Sequence, residues 1–264
     1  MWYNRCKQYK MKQKKAKILL FDIETSPNLS YVWGKWEQNV LSVKEHWYLI
    51  SFCAKWLDKK QIMDYSLPDY SGYRKDRTND KQLVKDLWEL FNEADIIIAH
   101  NGDEFDIKKA NALFIKHGLR PPAPYKTIDT KKVAKRYFKF DSNSLDDLGN
   151  YLGLGRKLKH TGFDLWLGCM AGDKASWNLM VRYNKEDVAL LERVYLHMLP
   201  WMTTHPNLNL FGGTLESCPN CHSDSLVRRG FGVTRTTKYQ RLQCSNCGGW
   251  HTGPRVKLDG LVVR

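Results

Sequence analysis

A short strand that carries two carboxylates is the feature that most constrains this chain. Residues 17–25 read KILLFDIET, and their apolar side chains are typical of a buried strand. Asp22 and Glu24 are two positions apart, so both project from the same face of that strand. Burying two charges costs several kcal/mol unless a partner compensates them. Either the fold supplies such a partner, or the two acids are solvated on a half-exposed strand.

The segments that follow indicate a layered α/β domain. Residues 28–36 and 45–57 are rich in aromatic and β-branched side chains, which predicts further strands of one sheet. Their tryptophans are expected to pack in the core, namely Trp33, Trp36, Trp47 and Trp56. We predict helices at 81–94, 105–118, 144–155 and 174–199, the last broken near Tyr183, and strands at 95–100 and 125–130. Strands mixed with helices in this way are typical of a sheet covered by helices.

Two later segments carry further acids. Residues 100–106, HNGDEFD, follow an apolar strand, and ligand sites in α/β sheets favour the carboxyl ends of strands. In YNKED, Tyr183 and Asp187 are four residues apart, on one helix face. Converging carboxylates suit hard divalent ions such as Mg²⁺ and Mn²⁺. The alternatives are ordinary acids at a helix N-terminus and a core tyrosine beside a solvated acid.

FDIET, NGDEFD and YNKED, in this order, resemble the three motifs of the DEDD 3′–5′ exonuclease superfamily. The matching positions are Asp22, Glu24, Asn101, Phe105, Asp106, Tyr183 and Asp187. The tyrosine marks the DEDDy branch, which includes the proofreading domains of family B polymerases. The histidine branch would have a histidine where this chain has Arg182. The resemblance covers residues 17–200.

The resemblance implies an α/β fold with a ribonuclease H-like mixed sheet flanked by helices. It also implies that two Mg²⁺ or Mn²⁺ ions are held by four carboxylates, those of Asp22, Glu24, Asp106 and Asp187. Tyr183 would orient the attacking water, and Asn101 would contact the nucleic acid. Asp103 and Glu104 stay open as outer ligands, whereas Asp129 is expected to be structural.

The activity that this resemblance implies is that of a metal-dependent 3′–5′ exonuclease. It would hydrolyse terminal phosphodiesters of single-stranded nucleic acid by a two-metal mechanism, with DNA favoured, and release nucleoside 5′-monophosphates. The alternatives are an RNA-processing exonuclease of the same fold and a non-catalytic nucleic-acid-binding replication accessory protein. The expected partners are DNA or RNA 3′ ends and a separate DNA polymerase or replication protein.

Four of the seven cysteines form two CxxC pairs, Cys218 with Cys221 and Cys244 with Cys247. Two such pairs are typical of one structural Zn²⁺ held by four thiolates. We therefore predict a small β zinc-ribbon module that does no chemistry itself. His222 and His251 are adjacent but are not needed by a filled four-cysteine site.

Positive charge is concentrated at the two ends of the chain, whose net charge is +14. Basic segments suit a polyanion such as nucleic acid, although a solvated tail is the alternative. In the ribbon, basic side chains alternate with rings that can stack on unpaired bases. The predicted nucleic-acid contacts there are Arg228, Arg229, Arg235, Lys238, Tyr239 and Arg241. A solvated hairpin with its rings packed beneath it is the alternative.

The predicted organisation has four parts. They are a basic flexible arm at 1–16, the exonuclease domain at 17–203, a linker at 204–214 and the zinc ribbon at 215–264. Neither a membrane-spanning apolar run nor a secretory signal is present in the sequence, so we expect an intracellular, cytoplasmic protein. Because freestanding exonucleases of this kind are common in phages, the resemblance suggests a phage-encoded protein in a bacterial host.

Overall fold

The computed structural model describes residues 15–36, 39–212 and 216–256. The chain divides into two compact units, one spanning Lys17–Met198 and the other beginning at Leu199. Most of the predicted arm, residues 1–14, and the end of the predicted linker, residues 213 and 214, lie outside the described residues. Within the described ranges, no helix has the length and apolarity needed to cross a membrane.

A mixed five-stranded sheet organises the larger unit. The strands of this unit are β1 (Ile18–Thr25), β2 (Leu29–Tyr31), β3 (Ser42–Glu45), β4 (Leu49–Trp56), β5 (Met63–Ser66), β6 (Ile96–Ala99) and β7 (Lys126–Asp129). The sheet has the order β5-β4-β1-β6-β7, with β1 antiparallel to β4 and parallel to β6. The strand that bears the two carboxylates is therefore the central strand.

Helices flank this sheet, as predicted. They are α1 (Lys81–Glu93), α2 (Asp106–Lys116), α3 (Thr130–Tyr137), α4 (Leu145–Tyr151), α5 (Asp164–Ala171) and α6 (Lys174–Met198). The predicted break near Tyr183 is wrong, because α6 runs unbroken for 25 residues. Its buried positions Met180, Tyr183, Asn184 and Asp187 recur every three or four residues, so one face stays packed through the motif. The sequence did not predict α3 or α5.

Strand β1 is covered on both faces. Leu19, Phe21 and Ile23 are buried, and the Phe21 ring meets the Phe91 ring of α1 edge-on at 4.9 Å. The intervening carboxylates point the other way, towards α6. Helices therefore occupy both sides of the central strand, and its two carboxylates are partly exposed on the side of α6.

The segment after β1 leaves the main sheet. Among the described residues, strands β2 and β3 pair only with each other, in a separate two-stranded hairpin. The predicted core packing is wrong for Trp33 and Trp36, which are 84% and 83% exposed in that hairpin. Trp47 and Trp56 pack against the hydrophobic core, as predicted. The aromatic composition correctly indicated strands but did not say which sheet they join.

The C-terminal unit contains a second small sheet. It has three antiparallel strands in the order β10-β9-β8, which are β8 (Leu226–Val233), β9 (Lys238–Cys244) and β10 (Trp250–Val256). This three-stranded sheet agrees with the small β module that the sequence predicts. Cys218 and Cys221 precede β8, Cys244 ends β9, and Cys247 lies between β9 and β10.

Candidate active site

Three carboxylates from two elements meet beside the central strand. The oxygens that Asp22, Glu24 and Asp187 can offer as ligands lie within 4.8 Å of one another. Alternation along β1 places the first two on the face that meets α6, and α6 supplies the third. Asp106, at the first turn of α2, lies outside that cluster but is only 4% exposed. Its Oδ1 accepts a hydrogen bond from the main-chain N–H of Ile23, with a nitrogen–oxygen distance of 3.4 Å.

The other acids of HNGDEFD point elsewhere. Asp103 accepts from the ammonium of Lys132 at 2.9 Å, and Glu104 pairs with Lys108 on the surface. Asp106 is therefore the acid of this segment that is buried beside β1. The structure favours Asp106 over its two neighbours as a member of the site.

Asp129 holds the loop that presents Asp106. Its carboxylate accepts from the main-chain N–H groups of Asn101 at 2.9 Å and Asp103 at 3.4 Å. The same carboxylate caps α3 by accepting from the N–H of Lys131 at 2.9 Å. Asn101 has a φ of 64°, a left-handed conformation that asparagine tolerates better than most residues. The carboxylate of Asp129 therefore holds this loop and the start of α3 together.

Burial raises the pKa of all four carboxylates, and neighbouring acids of the site raise those of Asp22 and Glu24 further. Burial, followed by the charges of Asp106 and Glu24, raises the pKa of Asp22 well above its ordinary value. Burial and the charge of Asp187 raise the pKa of Glu24 to about 8. Burial raises the pKa of Asp106 to about 6 and also raises that of Asp187. The site therefore concentrates more negative charge than the surrounding protein compensates.

Lys157 provides part of that compensation, and the sequence analysis missed it. Its Nζ lies 2.7 Å from Oδ2 of Asp187 and donates to the Tyr183 hydroxyl at 2.8 Å. Burial disfavours its charge, but the charge of Asp187 keeps the pKa of Lys157 above its usual range. Burial and Asp187 also raise the pKa of Tyr183. The phenol therefore stays protonated near neutral pH, which suits a positioning group better than a proton acceptor.

Asn184 is a second residue that the sequence analysis missed. It is fully buried on α6, and its Nδ2 donates to Oδ2 of Asp22 at 2.6 Å and to the main-chain oxygen of Asp22 at 3.3 Å. This amide fixes the rotamer of the first carboxylate. Asn184 lies three residues before Asp187, on the same helix face, so the spacing within YNKED contained the signal.

The donor set fits hard divalent cations. All the candidate ligands are carboxylate oxygens, which are the ligands that Mg²⁺ and Mn²⁺ prefer. Oδ1 of Asp187 is buried and accepts no hydrogen bond from the part of the chain that the structure describes. A buried anionic oxygen without a donor, inside a cluster of raised pKa values, is compensated when a cation binds. These residues can therefore hold such ions.

The four paired cysteines also form a suitable metal site. Their sulfurs lie within 4.8 Å of one another, with 3.7 Å between Cys218 and Cys247 and 3.7 Å between Cys221 and Cys244. A tetrahedral ion at ~2.3 Å from each sulfur implies sulfurs about 3.8 Å apart. The two measured distances therefore match a tetrahedral zinc site.

The surroundings favour the thiolate at Cys244, whereas burial raises the pKa of Cys218 and of Cys247. Burial opposes ionisation of Cys244, but the main-chain N–H groups of Cys247 and Asn246 lower its pKa to about 7. His251 lies outside the group of four, with its Nε2 at 3.2 Å from the sulfur of Cys218. His251 therefore contacts a candidate zinc ligand and is not one of the four clustered residues. This agrees with the prediction that a four-cysteine site does not need it.

Strand register divides the predicted ribbon contacts between two faces. Arg228 is opposite Leu242 and shares its face with Lys238, whose ammonium lies 4.6 Å from the centroid of the Phe231 ring. Tyr239 and Arg241 are on the other face. There the Arg241 guanidinium lies 5.6 Å from the centroid of Trp250, which the sequence analysis missed. The remaining predicted contacts, Arg229 and Arg235, lie at the irregular part of β8 and in the turn after it.

The comparisons with known proteins agree with this architecture. A family model described as the RNase_H superfamily matches residues 19–199. Among solved structures, the chain is similar to the family B DNA polymerase of the hyperthermophilic archaeon Pyrobaculum calidifontis, with 16% sequence identity and a TM-score of 0.50. The match covers 71% of this chain but only 25% of the polymerase, and at this identity it shows the fold alone. The curated proteins include no match to the sequence. The predicted ribonuclease H-like fold is confirmed.

Proposed function

Because the chain belongs to the RNase H superfamily, we propose that its larger unit is a metal-dependent 3′–5′ exonuclease for single-stranded nucleic acid, with DNA favoured. Membership of this superfamily supports a nuclease of this fold. The observation that carries the finer proposal is the cluster of Asp22, Glu24 and Asp187, with the Tyr183 hydroxyl beside it on α6. The products would be nucleoside 5′-monophosphates.

Each residue of the cluster has a distinct task in this proposal. The ions would be held by Asp22, Glu24, Asp106 and Asp187. Once bound, two Mg²⁺ or Mn²⁺ ions supply the charge that activates water and stabilises the departing 3′ oxygen. The Tyr183 phenol, neutral at physiological pH, orients the attacking water by hydrogen bonding. Lys157 fixes the direction of that phenol, and Asn184 fixes Asp22.

Digestion of end-labelled strands tests this proposal. We expect the wild type to shorten single-stranded DNA from its 3′ end only when Mg²⁺ or Mn²⁺ is present, leaving 5′-monophosphates. Asp187→Asn should abolish shortening because it removes one of the clustered ligands. Glu186→Gln is the matched control, since its carboxyl is on the exposed side of the same helix turn, and it should retain activity.

The outcomes separate the alternatives. Degradation by the Asp187→Asn variant without added metal would overturn the two-metal proposal. Faster degradation of RNA than of DNA of the same sequence would favour the RNA-processing exonuclease. Strands that bind but stay intact under every wild-type condition would favour the non-catalytic accessory protein.

The ribbon would hold one structural Zn²⁺ and retain the strand during digestion. The face with Tyr239, Arg241 and Trp250 supports this role because it combines cationic and stacking groups, and Trp250 is half exposed. We expect Arg241→Gln to weaken strand binding and shorten the run of cleavages per encounter. Lys238→Gln, which removes an equal charge from the opposite face, is the control. Equal losses in the two variants would refute the assignment of one face.

A further inference from the structure

Lys109 places a second ammonium beside the acid cluster. It lies on α2, one turn after Asp106, and its Nζ donates to the hydroxyl of Thr25 at 2.6 Å. The same nitrogen lies 4.3 Å from the ring centroid of Trp47 and 4.8 Å from that of Phe105. Thr25 directly follows Glu24 at the end of β1, so this cation adjoins the candidate ligands.

No carboxylate pairs directly with Lys109 in the described part of the chain, although the charges of Asp106 and Glu24 act on its ammonium. Lys157 forms an ion pair with Asp187, and Lys108 forms one with Glu104. Lys109, by contrast, forms no ion pair within the described ranges. Two aromatic faces and a hydroxyl hold it instead, and these fix its position without neutralising it. An ammonium has three donors, of which Thr25 uses one.

A fixed, partly exposed cation with spare donors is suited to an anion. The strand that approaches this site is a chain of phosphates, and the clustered carboxylates repel it. We propose that Lys109 binds one phosphate of the substrate strand close to the linkage that is cut. This inference rests on the proposed exonuclease function and names a positioning residue for it. Offsetting the charges of Asp106 and Glu24 is the competing role for the same side chain.

A scan of neutral linkages locates the contact. A fluorescent single strand carries one methylphosphonate at the first, second or third linkage from its 3′ end. Binding is measured with Ca²⁺ in place of Mg²⁺, and gels verify that the strand stays intact. One neutral linkage should weaken wild-type binding about tenfold, since a charge-assisted hydrogen bond is worth roughly that factor or more. Lys109→Gln should bind the unmodified strand about tenfold more weakly than the wild type. Its affinity should then not fall further when that same linkage is replaced by a methylphosphonate.

Salt dependence provides a second readout. Loss of one phosphate contact should reduce the slope of log affinity against log salt by roughly 0.7 for a single strand. Lys108→Gln is the matched control, because it removes the same charge one residue away, where Glu104 already pairs with it. Lys109→Met keeps the apolar stem against the rings and should reproduce Lys109→Gln. Melting curves establish that the variants are folded, and Lys109→Arg should restore binding.

The outcomes distinguish this inference from the function on which it rests. If each methylphosphonate lowers the affinity of Lys109→Gln by the same factor as that of the wild type, Lys109 contacts no phosphate and the inference is overturned. If the variants change only the Mg²⁺ concentration needed for cleavage, the side chain offsets the carboxylates and the inference is again overturned. A wild type that neither binds nor shortens any strand would instead refute the proposed exonuclease.

Discussion

Glu24→Gln should stabilise the protein when no divalent ion is supplied. Burial and then Asp187 raise the pKa of Glu24 from 4.5 to about 8. Between these two values the folded state binds the proton more tightly than the unfolded state, so stability falls as the pH rises through that window. At 1.36 kcal/mol for each unit, the whole shift corresponds to about 5 kcal/mol, of which about 3 kcal/mol is lost by pH 7. Part of this is shared with the neighbouring carboxylates, so we expect a gain of about 1–3 kcal/mol at pH 7.

Urea unfolding measures this gain. The helical circular-dichroism signal should be followed, because α1–α6 all belong to the larger unit. Added divalent ions are left out, and chelators are avoided because they would remove zinc from the cysteine site. The wild type and the variant should agree near pH 4.5, and their free energies of unfolding should diverge as the pH rises to 8. Added Mg²⁺ should stabilise the wild type more than the variant.

Glu104→Gln is the matched control for this experiment. Its carboxyl is on the surface, and the hydrogen bond from Lys108 lowers its pKa, so its removal should bring no gain. The reasoning would be refuted if Glu24→Gln were no more stable than the wild type at pH 8. A difference that does not change with pH would refute it equally.

Three further outcomes are expected. Asn184→Leu removes the hydrogen bond that fixes Asp22, so kcat should fall roughly 10–100-fold, while strand affinity in Ca²⁺ is unchanged; an unaltered kcat would contradict this role. Gly149→Ala would put its Cβ 2.6 Å from the main-chain oxygen of Gly155, and should lower the free energy of unfolding by about 1–3 kcal/mol in urea; a neutral effect would show that the two segments separate easily. Cys244→Ser should abolish stoichiometric zinc in elemental analysis, and zinc retained at the wild-type level would argue against a four-cysteine site.

The sequence predicted the parts of the site that depend on local spacing. Alternation on a strand paired Asp22 with Glu24, and helical periodicity paired Tyr183 with Asp187. The central sheet, the four helices α1, α2, α4 and α6 and the cysteine cluster followed from patterns of the same kind. Such patterns are visible because both partners lie on one element or in one short motif.

Contacts between distant segments were not predictable in this way. Lys157 is 30 positions from Asp187, in a stretch whose other basic residues give no sign that one of them is buried against an acid. The core packing predicted for Trp33 and Trp36 was wrong for a different reason. Aromatic content indicates a strand, but whether a strand joins the core sheet depends on pairing partners that only the whole fold supplies.

The two-sided burial of β1 also limits where this chain can change in length. Insertion of one residue between Leu19 and Ile23 would exchange the two faces of the strand beyond it. Acids would then face the Phe91 ring, and apolar side chains would meet Asp187. Insertions and deletions should therefore be tolerated in the exposed hairpin after Thr25 and rejected within β1. Tags, labels and domain insertions are best placed in that hairpin.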